Sequence, residues 1–158
     1  MSTIAITLGI PALLQDIKEK SFMNTARIKD PQDQYEVRAS EENEIQIKQG
    51  LQEAFRSLKG ICRKFLQTST DSTGNDTLST TWTGSFSLTL DVTARRSSNI
   101  GEAFSQAAHT YLVSAALRRF YTSAAMSELV AQYAAAEEAA RQEIVTLLHT
   151  KQEPVYTS

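Results

Sequence analysis

Between residues 68 and 98 the chain departs from helical composition: sixteen of these 31 residues are Ser or Thr, and no Lys or Arg occurs between Lys64 and Arg95. Within that stretch Phe86, Leu88, Leu90 and Val92 alternate with Ser87, Thr89 and Asp91, the period-two pattern of a strand with one buried face. Leu78 to Thr83, containing Trp82, is expected to pair with it through Gly84-Ser85 as a β-hairpin. A lone hairpin is marginal in water. It must lean on helices of its own chain or join a neighbour's sheet, and that demand restricts the fold more than any other feature.

Helical patterns flank the break. Over residues 40–67, Ile47, Leu51, Phe55, Leu58, Cys62 and Phe65 recur at three or four positions, with Ala54, Ile61 and Leu66 widening the stripe. This predicts an amphipathic helix of about six to seven turns. Ser40 is placed to cap it, and Glu41 and Glu42 to complement its dipole. Gly50 and Gly60 interrupt it, each at a cost of up to about 1 kcal/mol relative to Ala; close packing against a neighbour is a reason to keep them. Residues 98–150 predict a bent helix pair. Its first arm, capped by Ser98 or Asn99, carries Ile100, Phe104, Ala107, Tyr111, Ala115 and Leu117 as far as about Phe120. After a bend at Tyr121-Thr122-Ser123, Ser123 caps an alanine-rich arm carrying Met126, Val130, Tyr133, Ala140, Ile144 and Leu148. The polar tail, residues 151–158, stops this helix at or before Pro154.

Residues 1–39 precede all this. Ile4, Ile6 and Leu8 share one side of a short strand-like arm, and Pro11 opens a short helix from Ala12 to Ile17. An extended connection from Ser21 to Ala39 follows, with turn chemistry at Asp30-Pro31. The 158 residues thus predict one mainly α domain: a three-helix bundle with an inserted β-hairpin and an N-terminal strand-like arm. Net charge of -2 and a pI near 5.7 provide no general attraction to nucleic acid. The single Cys62 excludes an internal disulfide framework and fits synthesis in a reducing cytoplasm. The opening residues lack a basic n-region, which argues against a secretory signal. No run of about eighteen apolar residues occurs, so no membrane association is expected.

Chemistry is sparse. His109 and His149 lie forty residues apart with no carboxylate or Cys at ligand spacing, and no Glu-x-x-His pair exists. Cys62 lies on an apolar stripe, as a small buried hydrophobe does. Glu137-Glu138 with Arg141 forms an ordinary charged helix face. No metal, cofactor or enzymatic activity is expected. Three basic doublets, Arg63-Lys64, Arg95-Arg96 and Arg118-Arg119, could hold phosphates if they converged; Arg95, Arg96, Arg118 and Arg119 are the candidate DNA-facing residues. Association is the better expectation. The apolar side of the hairpin (Trp82, Phe86, Leu88, Leu90, Val92) and the arm (Ile4, Ile6, Leu8) are the candidate subunit contacts, since an unpaired strand is a template for another chain.

The stretches Gln34-Tyr35-Glu36-Val37-Arg38, Phe86-Ser87-Leu88-Thr89-Leu90, His109-Thr110-Tyr111-Leu112-Val113 and Arg119-Phe120-Tyr121, with Tyr133 and a terminal Lys151-x-x-Pro154, carry a resemblance. Over about residues 26 to 154 the chain resembles small virion proteins of tailed phages, including uncharacterised Bacteroidetes prophage proteins. It departs from that set in lacking a basic, Trp-containing second helix end and a basic run before the last Pro. Among virion proteins of known role it is similar to the head–tail connector (adaptor) proteins of long-tailed double-stranded-DNA phages. That resemblance implies a homo-oligomeric ring, twelve-fold, in the neck between portal and tail, with DNA passing through its lumen. It also implies docking of the tail (Pro154, Val155, Tyr156) on the portal protein. A heterologous ring needs two different faces on each protomer. The alternatives are another neck or tail-completion component such as a tail terminator, which would be richer in β-structure, and a soluble helical protein-binding module.

Overall fold

The computed structural model describes residues 3–25, 44–72, 84–91 and 100–149. Strand β1 (Thr3–Gly9) runs directly into helix α1 (Ile10–Thr25); helix α2 (Glu44–Ile61) leads through a turn into β2 (Leu66–Ser72); β3 (Ser85–Asp91) precedes helices α3 (Ile100–Ser123) and α4 (Ser127–His149). The described residues are mostly helical, with one small antiparallel sheet, as a mainly α fold with an inserted β element requires.

The sheet has the order β1-β3-β2, with β3 at its centre and both neighbours antiparallel to it. This corrects two expectations. The partner of residues 85–91 on the hairpin side is Leu66–Ser72, whereas residues 78–83 lie outside the described residues. Ser85 is not a turn residue but a strand residue, opposite both Gly9 and Ser72. The N-terminal arm is likewise not unpaired: Ile4, Ile6 and Leu8 stand opposite Leu90, Leu88 and Phe86. Three apolar side chains from each strand of this pairing share the inner face, and burying them together outweighs leaving the arm free in water.

Helix bounds shift for similar reasons. α2 ends at Ile61 rather than 67, because Phe65 and Leu66 turn into the sheet; the Asp91 amide donates to the Phe65 carbonyl at 2.7 Å and joins the turn to the end of β3. Ser40, Glu41 and Glu42, and the caps Ser98 and Asn99, lie outside the described residues. α1 continues to Thr25, well past Ile17; Pro11 sits in its first turn as expected. Ser21 is buried and Asn24 is engaged by two tyrosines, so polar residues that looked like loop belong to the helix. The end of α3 is a Schellman motif: the Met126 amide donates to the Tyr121 carbonyl at 3.0 Å and the Ala125 amide to the Thr122 carbonyl at 3.2 Å. Ala125 occupies the left-handed position there, with φ of 57°. Ser123 therefore belongs to α3 and does not cap α4.

The core centres on α3, which packs against α4, α2, α1 and β1. Every residue from Tyr111 to Leu117 is buried. Phe55 of α2 stacks on Phe86 of β3 with ring centroids 4.6 Å apart, joining the bundle to the sheet. A Cβ on Gly50 would meet the Ala116 Cα at 3.6 Å, so glycine there marks close approach of α2 to α3; Gly60 faces open space and needs another reason.

Candidate functional site

The sheet is where the expected association residues meet, and its two faces differ. Ile6, Leu8, Phe86, Leu88 and Leu90 point inward and are buried in the chain's own core; Ile4 is half-buried beside them. They were expected to contact other subunits. The structure corrects that: α1, α2 and α3 already cover the apolar face, so those side chains present no surplus oily surface. Trp82 and Val92 lie outside the described residues.

On the outer face the register aligns Thr7 with Ser87 and Thr70, and Ala5 with Thr89 and Thr68. The Thr7 and Ser87 hydroxyls lie 3.4 Å apart. Thr7, Thr68, Ser87 and Thr89 make this face rich in hydroxyl groups. Flanking it, β1 and β2 are each paired on one side only among the described residues. An edge strand offers a row of backbone donors and acceptors to another chain. The two rims differ in chemistry, because β1 alternates Thr and Ala with buried Ile and Leu whereas β2 exposes Gln67, Thr68 and Ser69. A shift in register at Leu66/Thr68 bends the β2 rim.

Of the candidate DNA-facing arginines, the two among the described residues, Arg118 and Arg119, turn to different helices. Arg118 forms an ion pair with Glu137 of α4, and that hydrogen bond raises the guanidinium pKa. Arg119 points the other way, pairing with Glu53 of α2 and donating to the Gly50 carbonyl at 3.3 Å. Both guanidinium groups are spent tying α3 to its neighbours. Arg95, Arg96, Pro154, Val155 and Tyr156 lie outside the described residues. The charged face expected at Glu137, Glu138 and Arg141 is divided: Glu138 holds Arg141 at 3.4 Å, whereas Glu137 crosses to α3.

Two further polar clusters arise from folding. Asp16 of α1 accepts from Lys20 at 2.9 Å, and His109 of α3 places Nε2 2.9 Å from its other oxygen. Burial pushes the Asp16 carboxyl up, but the hydrogen bonds from Lys20 and His109 outweigh it and hold the group below the usual carboxylate range. His109 also lines an open groove of about 600 Å³, together with Thr7, Gly9, Ala12, Ser105, Gln106 and Thr110. At the other end of α1, Asn24 Nδ2 donates to the Tyr121 hydroxyl at 3.2 Å and to the Tyr133 hydroxyl at 2.8 Å, and the two rings stack. Burial raises the Tyr121 pKa, so the phenol stays neutral within this network. Ninety-three residues separate Asp16 from His109 and 97 separate Asn24 from Tyr121; spacing along the chain contains no signal for either contact.

Cys62 is buried, and burial pushes its thiol up to about 12, which keeps it protonated and inert. His149 ends α4 with its ring edge-on to Phe65 at 5.7 Å. Among the described residues, no group of three or more His, Cys, Asp or Glu is arranged to hold a metal ion, and no helix is long and apolar enough to cross a membrane. The chain matches no protein-family model, no curated protein and no solved structure.

Proposed function

We propose that this chain is a structural virion protein, a head–tail connector (adaptor) that forms a ring in the neck between portal and tail of a tailed double-stranded-DNA phage. One observation carries the reading: among the described residues, the three-stranded sheet has two chemically different edges, β1 and β2, beside a helical bundle. Two unlike edges fit a head-to-tail contact, the type that closes rings when the rotation per copy allows. β1 and β2 run parallel to one another, since both are antiparallel to β3. Rotation about an axis along the strands would therefore set the β1 rim of one copy beside the β2 rim of the next as a parallel pair. The element order, with a helical bundle interrupted by a Ser/Thr-rich strand, supports the same reading through the resemblance in sequence. The helical majority fits a connector better than a β-rich tail-completion protein. What drives assembly in this account is open backbone edge and a hydroxyl-rich face rather than uncovered apolar surface.

The test mixes the chain with a portal protein of the same phage and images the product. A defined ring containing this chain is expected; failure to join any virion component favours a soluble binding module. Cysteine placement then examines the contact itself. In a buried-Cys62 background, A5C combined with T68C should cross-link successive copies into a ladder, while either single variant should not. Cross-linking by A5C alone would mean that like edges meet, and would overturn the head-to-tail arrangement.

A further inference from the structure

The arginines among the described residues fall into two groups. Arg118, Arg119 and Arg141 each hold a carboxylate. Arg56 and Arg63 hold none, and neither does Lys64; all three are exposed. Lys59 lies between them in sequence with its ammonium over the Phe55 ring, 5.2 Å from the centroid. From Ala54 to Thr70 the chain has these four cations and no carboxylate; of the acids that bound the stretch, Glu53 and Asp71, the first is occupied by Arg119. The helix dipole accounts for Lys59, in the last turn of α2. It does not account for Arg56, which precedes the last turn, or for a doublet placed after the helix has ended.

Placement makes these cations an array. Leu51, Ala54, Phe55, Leu58 and Cys62 turn inward and are buried, so Arg56 and Arg63 occupy the opposite, solvent side. Arg56 and Arg63 lie seven residues apart with Lys59 between them and Lys64 adjoining, so several positive charges are available to successive phosphates of one strand. An anionic lipid surface suits the array less, because the apolar face of α2 is already consumed by the core and none is left to enter a membrane.

We propose that Arg56, Lys59, Arg63 and Lys64 form a surface that binds the phosphate backbone of duplex nucleic acid without sequence preference. The surface belongs to one chain and does not depend on ring formation. The experiment titrates the full chain into a fluorescein-labelled, mixed-sequence DNA duplex and follows anisotropy at two salt concentrations. Neutralising four phosphates corresponds to a slope of about −3.6 in log affinity against log salt, or about 150-fold weaker binding between roughly 25 and roughly 100 mM salt. The variant R56E/R63E/K64E should lose most of that slope. A control, K18E/K20E/R141E, makes the same change in net charge on α1 and α4 and should keep it; circular dichroism verifies that both variants remain helical. Equal loss in the two variants, a slope near zero in the unaltered chain, or stronger capture by phosphatidylserine vesicles than by the duplex would overturn the proposal. Ring formation with the portal is measured separately, so either proposal can fail alone.

Discussion

α2 and α3 lie side by side in the same core, yet they relate to their sequences in opposite ways. α2 keeps one face in water: Ile47, Leu51, Ala54, Phe55, Leu58 and Cys62 are buried, and Arg56, Ser57 and Arg63 are exposed. α3 is enclosed on nearly every side, with seven consecutive buried residues from Tyr111 to Leu117. A helix shows amphipathic periodicity only when part of it meets solvent. The central position of α3 could not be inferred from a stripe because it has almost none; it follows from what α4, α2, α1 and β1 place around it.

The comparison can be tested by substitution, beginning with its largest consequence. Leu112→Ala in α3 should lower unfolding free energy by about 2–5 kcal/mol, while Arg56→Ala on the outer face of α2 should change it by less than about 0.5 kcal/mol. Urea denaturation of both variants measures the contrast, and comparable losses would break it. Next comes the contact between the two helices. Ala116→Leu would add volume where Gly50 already approaches its Cα, and overpacking of this kind should cost about 1–3 kcal/mol. Ala125→Gly sharpens the account of where α3 stops. It relieves a left-handed alanine at the Schellman position, so it should raise stability by about 1 kcal/mol, visible as a higher melting temperature.

The smallest effect concerns the link from α3 to α1. Asp16 is held below its ordinary value of 3.8 in the folded chain. The stability it contributes is present above that ordinary value and is lost as pH falls through the lower, folded value. Asp16→Asn should therefore cost up to about 1 kcal/mol at neutral pH and flatten the decline in stability below about pH 4. Denaturation midpoints measured from neutral to acidic pH for both proteins check the sign; an identical acid decline would dissociate Asp16 from it.

Much of the fold was legible because burial leaves a regular imprint on residue order. Phe86, Leu88 and Leu90 alternate, and they form an inward-facing strand; Leu51, Phe55 and Leu58 recur at helical spacing, and they line a buried face. Errors clustered where a local pattern had two solutions. Phe65 and Leu66 continue the apolar stripe of α2 but turn instead into β2, since pairing beside Leu90 completes the sheet. Residues 78–83 adjoin β3 in sequence, yet Leu66–Ser72 and Thr3–Gly9 are the strands that pair along its two sides. Ala125 carries none of the glycine signal that marks a left-handed turn.

The candidate site was less legible than the fold, and for a different reason. Residue types at Ile6, Leu8 and Leu88 state that something covers them; they do not state whether that cover is the same chain or another. Arg118 and Arg119 announce charge, but whether the charge faces a ligand or a carboxylate depends on Glu137 and Glu53, which reach them from other helices. Residue order alone determined that this chain forms helices around an inserted strand, with a histidine and cysteine inventory poor in metal ligands. Tertiary structure decided that the first strand closes onto β3, that β1 and β2 flank it, and that, among the described residues, no carboxylate pairs with Arg56, Arg63 or Lys64. Local patterns act over a few residues through backbone geometry and solvent contact, whereas partner choice is settled by side chains that meet only after the chain has packed.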